Sequence, residues 1–162
     1  MNVRKILFPT DFSEQGSAAL AFASSLARDS KATLVIVHVE EPPIAYGADM
    51  YFGLDSVDRS LLWRKLGEVL PTDPAIPCIH RLAIGDPAGA IVRVAEEDAC
   101  DLIVMPTHGR SGFSRLLMGS VAEAVVRLAK CPVLTIKTPV TQTVKENAPA
   151  SPPLTNPQPS TI

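Results

Sequence analysis

Three of the chain's nine glycines, Gly109, Gly112 and Gly119, fall between Met105 and Ser120, in a stretch that is otherwise small and polar. Glycine lets a backbone approach a ligand closely and turn several N–H groups the same way. Ser120-x-x-Glu123 has the spacing of a capping box, so a helix is expected to start there. A helix N-terminus carries roughly half a positive charge. The glycines and the expected helix start at Ser120 together describe a cradle for an anionic group such as phosphate. Arg110 and Arg115 supply cationic partners, and His108 can reach a ligand by main chain or ring. A second reading stays open: a Gly/Ser loop that holds nothing, with Ser120 a simple cap. Neither G-x-x-x-x-G-K-[ST] nor G-x-G-x-x-G occurs in the chain.

Two further segments carry polar groups at the ends of apolar runs. In Pro9-Thr10-Asp11-Phe12-Ser13, Asp11 could accept from a sugar hydroxyl or hold water around a cation. Equally, Asp11 or Ser13 could cap the next helix. In His38-Val39-Glu40-Glu41-Pro42, the main chain of Val39 could face the edge of a base, or the strand could simply stop before Pro42. His38 reads as a partly buried strand residue and His80 as a surface one. No His/Cys/Asp cluster has metal-ligand spacing. No G-x-S-x-G elbow and no nucleophile with a positioned base is visible, so hydrolysis would at most be slow.

These groups need elements to hold them. Val3–Phe8, Ala32–Val39, Leu102–Met105 and Pro132–Ile136 are near-continuous apolar runs, as expected of parallel strands covered on both faces. Cys78–Ile84 is a more mixed fifth strand. Apolar stripes predict helices over 14–29 (Ala19, Phe22, Ala23, Leu26), 56–70, 87–99 and 120–130. Asp86-Pro87 suits the start of the third of these. Alternating strands and helices imply right-handed crossovers and an α/β fold with helices on both faces of a parallel sheet. Ligands of such sheets sit beyond the carboxyl ends of strands, where strand order reverses.

Composition sets the bounds. The chain has 162 residues, 46% of them hydrophobic and 20% charged, enough for one domain with an apolar core. A net charge of -2 gives no basic footprint for nucleic acid. No apolar run approaches the roughly 20 residues of a membrane span, and the stretch before Pro9 is too short for a signal peptide. The three cysteines, Cys78, Cys100 and Cys131, show no C-x-x-C, which fits a reduced cytoplasm. Residues 138–162 hold six of the fifteen prolines and only two charges, Lys145 and Glu146. That stretch reads as a Pro-rich disordered tail, with the ordered domain over 1–137.

Taken together the motifs resemble the universal stress protein family. Its pattern of G-x-x-G, nine residues, then G-[ST] reads here as Pro106-Thr107-His108-Gly109, Arg110 to Met118, then Gly119-Ser120. Ile6-Leu7-Phe8-Pro9-Thr10-Asp11, Val37-His38-Val39, Gly85-Asp86-Pro87 and Cys131-Pro132-Val133-Leu134 extend the likeness over nearly all of 1–137. The first glycine of the pattern is Pro106, which lacks an N–H. The resemblance implies a five-stranded parallel sheet of order 3-2-1-4-5, in an adenine-nucleotide α-hydrolase-like fold. It implies a cytoplasmic stress-response homodimer joined through the last strand. It implies ATP or another adenine nucleotide as ligand, with Mg or Mn held mainly by the phosphates. Carried over, the site would comprise Pro9, Thr10, Asp11, Val39, Pro106, His108, Gly109, Arg110, Ser111, Gly112, Gly119, Ser120 and Val121. Two alternatives stay open: a nucleotide-free dimeric interaction protein of the same fold, and an ATP pyrophosphatase. The second is disfavoured because Pro9–Ser13 replaces the Ser/Gly-rich loop such enzymes carry after the first strand.

Overall fold

A computed structural model describes residues 2–42, 59–107 and 118–137. Among these residues are five strands: β1 (Lys5–Pro9), β2 (Thr33–Glu40), β3 (Cys78–Ile84), β4 (Leu102–Pro106) and β5 (Val133–Ile136). Four α-helices stand between them: α1 (Ser17–Ser30), α2 (Arg59–Glu68), α3 (Pro87–Glu97) and α4 (Ser120–Leu128). A 3₁₀ turn over Glu14–Gly16 leads into α1. All strand pairs are parallel, in the order β3-β2-β1-β4-β5. The strand order therefore reverses between β1 and β4, as the resemblance implies.

The apolar runs lack alternation because both faces of the sheet are covered. Ile6, Phe8, Leu34, Ile36, Leu102 and Val104 pack against Ala19, Ala23 and Ala27 of α1 and Leu66 of α2. Their neighbours Leu7, Val35, Val37, Ile103 and Met105 pack on the other face against α3 and α4. Alternate strand residues point to opposite faces, so each core takes every second side chain. Alanines at four-residue spacing in α1 let that helix lie close to the sheet. The expected stripe is adjusted here: Phe22 faces outward at 44% exposure, and the buried face runs Ala19-Ala23-Ala27. Ala99, expected inside the third helix, lies beyond it with a left-handed φ of 51°.

Local chemistry explains several boundaries. Asp86 caps α3 by accepting from Gly89 N at 2.8 Å, and Pro87 occupies the first helical position. Gly85, at φ 132°, makes the turn that joins β3 to this cap. At the other rim, Asp101 Oδ2 accepts from Arg4 N at 2.7 Å and Lys5 N at 3.0 Å, tying the start of β1 to the start of β4. His80 is half-buried rather than a surface residue, and its Nε2–H donates to Val69 O at 2.8 Å. The three cysteines are free and stand at the strand-start rim: Cys78 opens β3, Cys100 precedes β4 and Cys131 precedes β5. Burial and the nearby Asp98 carboxylate push the Cys100 thiol up to about 12. No described helix is long and apolar enough to cross a membrane.

Candidate functional site

A cleft of about 540 Å³ opens at the carboxyl ends of the strands, within the size range of small-molecule sites. It is lined by Pro9, Thr10 and Asp11 after β1, by Val37 to Glu41 of β2 and its end, by Met105 to Thr107 of β4, and by Gly119 to Ala122 of α4. Leu62, Pro87 and Ile91 supply apolar walls from α2 and α3. The structure thus brings Pro9, Thr10, Asp11, Val39, Pro106, Gly119, Ser120 and Val121 to one hollow. His108, Gly109, Arg110, Ser111 and Gly112 lie outside the described residues, as does the Pro-rich tail.

The anion end of the cleft differs from the capping-box expectation. Gly119 is the N-cap, Ser120 is already the first helical residue, and no side chain caps α4. Gly119 N–H is not available, because it donates to Thr107 O at 2.8 Å. Glu123 N makes the first intrahelical bond, to Gly119 O at 2.9 Å. The N–H groups of Ser120, Val121 and Ala122 therefore have no acceptor among the described residues, as in any uncapped first turn. All three residues line the cleft. The donor set has moved one residue into the helix, yet it remains three amides aimed from a positive helix end.

Acidic residues also line the cleft. Asp11 Oδ1 accepts from Ser13 N at 3.0 Å and Ser13 Oγ at 2.6 Å, so Asp11 closes its own turn instead of capping α1. Glu40 pairs with Arg59, the first residue of α2, at 3.2 Å. Glu40 is offset by Arg59, while Asp11 and Glu41 leave negative charge in the lining, which disfavours an anion beside them and favours it at α4.

Strand alternation places Val39. Thr10 N donates to Val37 O at 2.8 Å, so Val37 presents its main chain to the β1 side. Val39, two residues on, presents its N–H and C=O to the same side, beyond the last β1 pair, Pro9↔Val37. The Val39 main chain thus faces the cleft.

His38, set aside as a strand residue, also belongs to the cleft wall. Its Nδ1 is 2.8 Å from Thr10 O. A carbonyl only accepts, so the proton sits on Nδ1. The ring packs on Phe12 at 4.1 Å between centroids. Phe12 holds a left-handed φ of 63°, unusual for a bulky residue. A histidine facing the turn after the first strand was the available signal, but its spacing alone does not show which turn it meets.

Among the described residues no group of three or more His, Cys, Asp or Glu side chains could hold a metal ion.

Comparison with known proteins identifies the family and agrees with the fold. Residues 2–137 match the universal stress protein family. A universal stress protein of Methanocaldococcus jannaschii is 32% identical over 150 residues, covering 84% of this chain and 83% of that protein. A solved universal stress protein in complex with cAMP superposes with a TM-score of 0.64 at 26% identity, covering 86% of this chain and 100% of that one. The universal stress protein UspA of Lactobacillus plantarum gives a TM-score of 0.68 at 26% identity, with 84% and 99% covered. With this sheet order and a match running from Asn2 to Lys137, the chain belongs to the universal stress protein family.

Proposed function

We infer that the chain binds an adenine nucleotide, ATP in the first instance, and works as a cytoplasmic stress-response regulator through its bound state and a dimer surface. The observation that carries this reading is the set of three amides, Ser120 to Ala122, that line the cleft without acceptors among the described residues. Phosphates at α4 place the base toward β2, where the Val39 main chain offers one donor and one acceptor to a base edge. Binding of cAMP by a related protein fits the same ligand class. Any divalent cation would arrive on the phosphates. No base or water-positioning residue is identified among the described residues, so the function rests on occupancy rather than turnover.

Calorimetry with ATP and Mg²⁺ tests the reading, with a thermal-shift control. Binding heat is expected at micromolar to millimolar ATP, and no heat with no shift at millimolar ATP rejects it. Gly119→Asp sharpens the test. Gly119 has φ −74° and ψ 154°, a backbone conformation open to any residue. An Asp at this N-cap should raise stability by a few tenths of a kcal/mol while its charge repels phosphate. Weaker ATP binding at unchanged or higher Tm is the expected result.

A further inference from the structure

β1 and β4 are interior strands, yet each ends in a proline, a residue sheets normally confine to edges and first positions. The hydrogen-bond pattern shows where those two imino nitrogens face. Thr10 N donates to Val37 O in β2, so Pro9, one residue back, faces the opposite side, toward β4. Lys5 O, four residues earlier and in the same phase as Pro9, accepts from Asp101 N just before β4. Thr107 N donates to Ile136 O in β5, so Pro106 faces β1. Two residues without N–H groups therefore confront one another across the β1–β4 seam.

The pairing register stops where this predicts. β1 stays paired with β2 up to Pro9↔Val37, and β4 with β5 up to Pro106↔Ile136. Between β1 and β4 the last pair is Leu7↔Ile103. The next ladder bonds would need Pro9 N to donate to Val104 O and Pro106 N to donate to Pro9 O. Neither nitrogen carries a hydrogen. Ladder pairing across the seam ends where strand order reverses, and the Val104 and Pro9 carbonyls face it without ladder donors. Both prolines line the cleft.

We propose that Pro106, acting with Pro9, holds this crevice open as a floor of main-chain acceptors only, and that Pro106 thereby sets ligand choice in favour of molecules whose middle portion carries hydroxyl donors. The crevice lies between the end of β2 and the N-terminus of α4. A nucleotide with its base at Val39 and its phosphates at α4 has its sugar over these carbonyls. An amide at position 106 would satisfy Pro9 O internally and narrow the floor. This ligand preference rests on the nucleotide reading; the open crevice does not.

Two measurements decide it. Affinities of ATP and 2′,3′-dideoxy-ATP are compared for the wild-type chain and for Pro106→Ala, with Pro106→Gly as a second variant. Each lost hydroxyl bond is expected to weaken wild-type binding roughly two- to tenfold. That preference should shrink toward unity in the variants. Hydrogen exchange without nucleotide should show the amide introduced at position 106 to be slow, as a ladder amide is. The same preference in all three proteins overturns the specificity role while leaving nucleotide binding intact. An introduced amide that exchanges as fast as an unstructured one overturns the open-crevice account. If neither nucleotide binds the wild-type chain, the nucleotide reading fails and the ligand preference with it, and exchange alone decides the crevice.

Discussion

Ser120 carries the sharpest single-residue test of the anion site. It stands at the first helical position, where proline is well tolerated and its fixed φ is already helical. Ser120→Pro deletes one of three amide donors and leaves the helix intact. A bond to a charged group contributes about 1.5–3 kcal/mol, so ATP affinity should fall by roughly 10- to 100-fold, read by calorimetry. Ser120→Ala keeps the amide and isolates the hydroxyl. Asp101 makes a separate test. The N–H groups of Arg4 and Lys5 hold its carboxyl below the usual range. A depressed folded-state pKa contributes stability above the unfolded value, about 3.9, and loses it as pH falls through the folded value. Wild-type chain should therefore lose stability below about pH 4 more steeply than Asp101→Asn, as denaturant midpoints across that window will show.

Helix α3 hangs on one cap. Asp86→Ala leaves Gly89 N without its 2.8 Å acceptor and should cost about 1 kcal/mol, visible as a lower Tm without loss of the fold. Asp86-Pro87 was legible in the residues because both act within one turn. The strands were legible too, since runs such as Leu34–Val37 feed two cores at once. Strand order was not written in those runs; it came through the family resemblance, because crossovers are set by the packing of whole helices. The helix start near Ser120 was legible, but its cap was misplaced by one residue. Ser120-x-x-Glu123 has the right letters, whereas the extended backbone of Gly119 and the bond its C=O accepts from Glu123 N make Gly119 the N-cap. His38 at the cleft and Phe22 facing outward depend on what a neighbouring segment covers, which no local spacing encodes.

Taken whole, the sheet has β3 and β5 as its outer strands, neither paired further among the described residues. The β5 edge supports the proposed dimer. Ile136 O accepts from Thr107 N and Pro132 O from Ile103 N, so Val133 and Thr135 turn their main-chain groups outward. Val126 and Leu128 of α4 are also exposed. An unpaired apolar edge invites a second copy. Thr135→Pro removes an outward donor and no internal ladder bond. Light scattering should show a dimer for the wild-type chain and a shift toward monomer for the variant at micromolar concentration. A wild-type monomer there counts against the dimer.

Because all five strands run the same way, the molecule has two chemically separate poles. Every thiol sits at the pole where the strands begin, and the cleft sits at the other. A fluorophore tethered to the half-buried Cys131 would be a full strand length from the cleft. The chain is thus suited to become a sensor whose reporter is attached without touching the chamber it watches.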